Sequence, residues 1–167
     1  MKRVKTILII LVLTVLPALA QEDLKIGKLF YNEHTEKFKA NPKENITAGR
    51  DYSIPQSLVS EVSIQGQNLK AYNLTLFRSV TFENGETMAK QIEEWIEADS
   101  RDAYDKEVGR IKGQLYYGFY CLPTRDKKKR YLFYRNAALQ PNSKDQSLTV
   151  AYMEGYATLE QLKEMFK

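Results

Sequence analysis

Two aromatic-rich runs, Leu115 to Leu122 and Arg130 to Ala137, are separated only by Pro123 to Lys129, and this pairing constrains the fold more than any other feature. Between them they carry Tyr116, Tyr117, Phe119, Tyr120, Tyr131, Phe133 and Tyr134. Successive side chains of a strand point to opposite faces, so Tyr117 and Phe119 oppose Tyr116 and Tyr120. A helix layer on one side covers only one of these faces. The other is then part of the fold's own core, closed by the amino-terminal segment, paired with another molecule, or open as a tyrosine-rich binding surface.

The remaining elements follow from periodicity. Leu58 to Ile64 is rich in β-branched residues, Gln65 to Asn68 carries turn chemistry, and Leu69 to Phe82 alternates, which predicts a hairpin. Period two places Tyr72, Leu74, Leu76, Val80 and Phe82 on one face with Arg78 among them. That position requires either a bulge or a guanidinium on the core side with a partner. Asn84 is a candidate N-cap, and Met88, Ile92, Trp95 and Ile96 form a helical stripe running to about Asp99. Ser100 to Lys112 continues the helix or turns towards the sheet. Leu148 to Met153 reads as a further strand, and Thr158 with Gln161 as the capping box of a closing helix. The order strand, strand, helix, three strands, helix predicts one α+β domain over 58–167, an antiparallel sheet of about five strands with helices on one face. Residues 21–57 lack a sustained period and read as an irregular amino-terminal segment.

Lys2, Arg3 and Lys5 precede the apolar run Ile7 to Leu16, Pro17 interrupts it, and Ala18-Leu19-Ala20 offers small residues at a cleavage site. The expectation is a signal peptide over 1–20, cut after Ala20, and a periplasmic or secreted product with no permanent membrane span. Residue 21 is Gln, so lipid attachment to a cysteine there is not available. The whole chain holds 25 basic and 21 acidic residues, formally +4; without its first 20 residues it holds 22 against 21, formally +1. The basic balance is thus a property of the leader, and nucleic acid is not an expected partner.

Chemistry is sparsely represented. Cys121 and His34 are the single cysteine and histidine, one in an apolar strand and the other in the irregular segment. The expectation is a buried thiol and a solvated imidazole rather than a dyad. No serine elbow, phosphate-cradling loop or zinc-ligand set occurs, so neither metal nor cofactor is expected. The acidic residues Glu93, Glu94, Glu97, Asp99, Asp102, Asp105 and Glu107 read as a solvated face, with Lys90 and Arg101 as helical neighbours of Glu93 and Glu97. Arg125, Lys127, Lys128, Lys129 and Arg130, offset only by Asp126, form the sharpest charge feature. Such a tip repels edge-to-edge aggregation or meets an anionic surface.

Leu69 to Ser79, Tyr116 to Tyr120 and Ala151 to Glu160 resemble small exported proteins of unknown function from Gram-negative gut anaerobes. The resemblance spans roughly Leu58 to Phe166 plus the leader. It implies an envelope location and transfers no activity, ligand or catalytic residue. The leading expectation is a non-enzymatic binding or interaction module of the periplasm or envelope, using the aromatic face and the basic tip. Its partner is an unidentified envelope component or a second copy whose acidic helix meets that tip. The alternative is a hydrolase acting on an envelope polymer; a subunit of a larger exported complex is a third reading.

Overall fold

The computed structural model describes residues 24–30, 58–83 and 86–165. Six strands form one antiparallel sheet: β1 (Leu58–Gln65), β2 (Leu74–Phe82), β3 (Asp105–Ile111), β4 (Gln114–Arg125), β5 (Lys128–Asn136) and β6 (Leu148–Gly155). Helices α1 (Glu86–Asp99) and α2 (Leu159–Met165) complete an α+β domain. The spatial order is β1-β2-β6-β5-β4-β3. Helix α1 carries the chain from β2 to the far edge, and β6 returns to the centre between β2 and β5.

The sixth strand is β3, in the stretch whose sequence left helix and strand open. Its residues Asp105-Lys106-Glu107-Val108 are all exposed, as suits a charged edge, so no apolar alternation marks it. Lys112 and Gly113 both have positive φ, 50° and 85°, and join β3 to β4 by a two-residue turn whose twist matches the strands. Asp126 and Lys127, with φ of 50° and 65°, do the same for β4 and β5. The basic loop is therefore a tight hairpin end, and its flanking cations belong to the strands.

The expectation of helices gathered on one face is corrected: they lie on opposite faces. In β5, Tyr131-Leu132-Phe133-Tyr134 is buried without interruption, and in β6 so is Val150 to Met153. Strands apolar on both sides need a cover on each. On one side, Ile92, Trp95 and Ile96 of α1 pack with Val80, Phe82, Leu132, Tyr134 and Val150. A 3-10 turn at Lys25–Leu29 joins them through Ile26 and Leu29, and the Asp99 carboxylate accepts the Lys25 and Ile26 N–H groups at 2.9 Å each. On the other side, Leu162 of α2 and Leu69 pack with Phe119, Tyr131, Phe133 and Met153. The capping box holds there as expected: Thr158 N–H donates to Gln161 Oε1 at 2.9 Å, and Gln161 N–H to Thr158 Oγ1 at 3.2 Å. The Asn84 cap of α1 lies outside the described residues.

The first hairpin also differs from its expectation. Gly66–Tyr72 is a 3-10 turn that crosses the sheet edge and buries Leu69, Asn73 is left-handed at φ 54°, and β2 begins only at Leu74. A register shift between Leu74 and Leu76 turns Leu74 to the α2 side while Leu76, Val80 and Phe82 remain on the α1 side. Arg78 stays with the latter group.

Candidate functional site

The aromatic residues are placed first by packing. Phe119, Tyr131 and Phe133 belong to the core under α2, and Tyr120 and Tyr134 to the core under α1, none more than 4% exposed. Tyr117 is half-buried, edge-on to Phe133 with ring centroids 5.8 Å apart. Tyr116, also half-buried, accepts a hydrogen bond from Gln140. Tyr131 Oη donates to the Ala157 carbonyl at 2.6 Å, tying the sheet to the chain entering α2. The rings therefore supply packing area on both faces, and no continuous aromatic surface is left for a ligand among the described residues. Gly118 sits in mid-strand because the Tyr120 ring folds over it: a Cβ there would lie 2.6 Å from Tyr120 Cε2.

The cations of the β4–β5 hairpin separate by face. Arg125 reaches Glu154 of β6, Nη2 to Oε1 at 3.1 Å. Lys129 points to the α2 side and donates to the Ala157 carbonyl at 3.4 Å. Arg130 returns Nε to the Pro123 carbonyl at 2.8 Å. The side chains of Lys127 and Lys128 make no hydrogen bond or ion pair among the described residues; Lys127 is exposed and Lys128 half-buried.

Sequence reasoning did not assign Glu154, Tyr152 or Arg78 to this end of the sheet. Register brings them together: Tyr152 faces Arg78 on β2 and Leu132 on β5, and Glu154 faces Leu76 and Arg130. Tyr152 Oη donates to Glu154 Oε1 at 2.6 Å, the same oxygen that Arg125 holds. Both residues are 9% exposed, and burial, followed by the bond to Glu154, pushes the Tyr152 phenol far up. Arg78 Nε is buried with no hydrogen-bond partner. The visible signal was an arginine at an apolar position of β2; its neighbours on β6 could not be read without the strand order.

A family of unknown function, DUF6108, matches residues 13–166. The chain belongs to this family. No curated protein and no solved structure matches it. Membership of DUF6108 carries no activity, so the remaining chemistry rests on geometry alone.

Cys121 is buried, and burial, with Asp105 next, raises its thiol pKa, the opposite of an activated nucleophile. His34 lies outside the described residues. Among the described residues no group of three metal-binding side chains occurs, and no helix is long and apolar enough to cross a membrane. Glu93, Glu97 and Glu107 meet cations of β3 and α2 rather than the helical neighbours Lys90 and Arg101. Arg110 of β3 bonds Glu97 at 2.7 Å and approaches Glu93 at 4.0 Å, and Lys163 of α2 pairs with Glu107. Glu93 lies where α1 meets the sheet, close to Tyr134, whose hydroxyl is buried.

Burial, only partly offset by the Leu115 backbone bond and Arg110, raises the Glu93 pKa above its ordinary 4.5. The folded chain then binds this proton more tightly than the unfolded chain. Stability from this group is present at and below the ordinary glutamate range and is lost as pH rises through the raised value. Thermal unfolding of Glu93→Gln across pH 4 to 8 is expected to show a shallower fall in Tm with rising pH than the parent. An unchanged slope would assign the fall to other groups, Asp99 first, whose pKa is also raised by burial.

Proposed function

We propose that this chain is an exported, non-enzymatic binding module of the periplasm or cell envelope that meets an anionic component through the β4–β5 hairpin end. The observation that carries the reading is the concentration of Arg125, Lys127, Lys128, Lys129 and Arg130 around one two-residue turn, with Glu154 the one carboxylate bonded to any of them among the described residues. A solubilising role alone needs no such concentration of one sign of charge. Export is supported by the basic, apolar and small-residue succession of the first 20 residues, and by Leu24, which begins the docked turn just beyond Ala20. A buried thiol with a raised pKa weighs against a hydrolase that uses Cys121 as its nucleophile.

The test is cosedimentation with vesicles of phosphatidylglycerol in phosphatidylcholine. Binding is expected to weaken with salt, as screening requires, and to fall about tenfold when Lys127, Lys128 and Lys129 are all changed to Gln. Equal binding of the triple variant, or none by the parent chain at low salt, would remove the proposal.

A further inference from the structure

We propose that the α1 face of the sheet holds, beside the hairpin end, a subsite for a phosphomonoester dianion, formed by Arg78, Arg130 and Arg125 around Tyr152 and Glu154. The inference deepens the proposed function, and rests on it only for the identity of the carrier of the phosphate.

The first reason is an unexplained cost. Arg78 stands between Leu76 and Val80 and opposite Tyr152, positions that pack into the core. A guanidinium there is partly desolvated, with Nε fully buried, and it makes no hydrogen bond or ion pair among the described residues. A leucine would pack better with its neighbours. Among the described residues nothing accepts a hydrogen bond from this side chain.

The second reason is charge. Arg78 on β2 and Arg130 on β5 flank β6 from either side, and Arg125 is already drawn to Glu154 between them. Three cations against one carboxylate leave an excess of two. Lys128, opposite Arg125 at the hairpin turn, only adds to this positive excess. Arg130 commits only Nε, to Pro123, so its terminal nitrogens remain available, as do those of Arg78. Guanidinium forks match the paired oxygens of phosphate, and a dianion neutralises an excess of two where a carboxylate or phosphodiester does not.

Thermal unfolding in phosphate and in chloride at matched ionic strength reads the site directly. At about ten times the Kd, phosphate is expected to raise the Tm of the parent chain by about 4 °C. Arg78→Leu is expected to abolish that shift while unfolding at a higher temperature than the parent in chloride, because an apolar side chain replaces an unpaired buried cation. Arg130→Gln, at a less buried position, is expected to abolish the shift without the gain in Tm. It keeps the test decisive should Arg78→Leu not fold. A parent chain unaffected by about 10 mM phosphate, or variants shifted as much as the parent, would overturn the proposal. Vesicles of phosphatidic acid and phosphatidylglycerol at equal surface charge identify the source. An Arg78-dependent preference for phosphatidic acid places the phosphomonoester on a lipid headgroup, and a phosphate shift with no such preference places it on a free ester. The two proposals fail separately, since the triple lysine variant keeps its phosphate shift and Arg78→Leu keeps its salt-sensitive attraction to phosphatidylglycerol.

Discussion

Replacing Gly155 with Ala is expected to destabilise the protein by about 3 kcal/mol or more, lowering Tm by about 10 °C. A Cβ at this position would lie 2.5 Å from the Asn73 carbonyl oxygen, 2.6 Å from Leu74 Cα and 3.1 Å from Thr75 N. All three are backbone atoms at the register shift where β2 enters the sheet, so no side-chain rotation relieves the contact. The Asn73 carbonyl also accepts the Tyr156 N–H at 2.7 Å, and moving it away sacrifices that bond. Gly155 pairs with Lys129 on its other side, so the strain reaches β5 as well. Gly27→Ala is the matched control, with nothing within 4 Å of the added carbon and no positive φ. Near-equal melting temperatures for the two variants would show that the sheet centre yields where its close packing says it cannot.

The second large effect is expected from Leu162→Ala, at about 3 kcal/mol. Leu162 is fully buried and is the one buried residue of α2, a helix of seven residues. A helix so short has little stability of its own and exists through its packing and its cap. Truncation leaves a cavity over Phe119, Cys121, Tyr131 and Phe133 and loosens the cover of that face. Cys121 then provides the readout. In the parent chain it is 3% exposed and its thiol pKa is raised by burial, so a thiol reagent should react slowly at neutral pH. In Leu162→Ala it should react many-fold faster under native conditions. Unchanged reactivity with unchanged Tm would mean that α2 is not what closes this face.

Elements with a strong local period were legible in the chain. The α1 stripe of Met88, Ile92, Trp95 and Ile96 is buried as its spacing requires, and α1 ends at Asp99. The Thr158–Gln161 cap is present because both hydrogen bonds of a capping box are encoded within four residues. Strand β3 was not legible, since an edge strand satisfies its ladder on one side and can carry charge on both faces. The 3-10 turn Gly66–Tyr72 imitated a strand in its apolar spacing, and only its left-handed exit at Asn73 separates it from β2.

What the residues determined alone was local: which strongly periodic stretches become strand or helix, where α2 caps, that Cys121 would be buried, and that cations gather at one hairpin. Tertiary structure decided which faces those stretches share. Both surfaces of β4, β5 and β6 are apolar, and a single helix layer would have left one in water, so α1 and α2 divided between them and Tyr120, Tyr131 and Tyr134 became core. Strand order, set by pairings between residues as distant in the chain as Arg78 and Tyr152, assembled the arginines around Glu154. Charge and hydrophobicity act across space, and the chain states their identity at each position but not their neighbours.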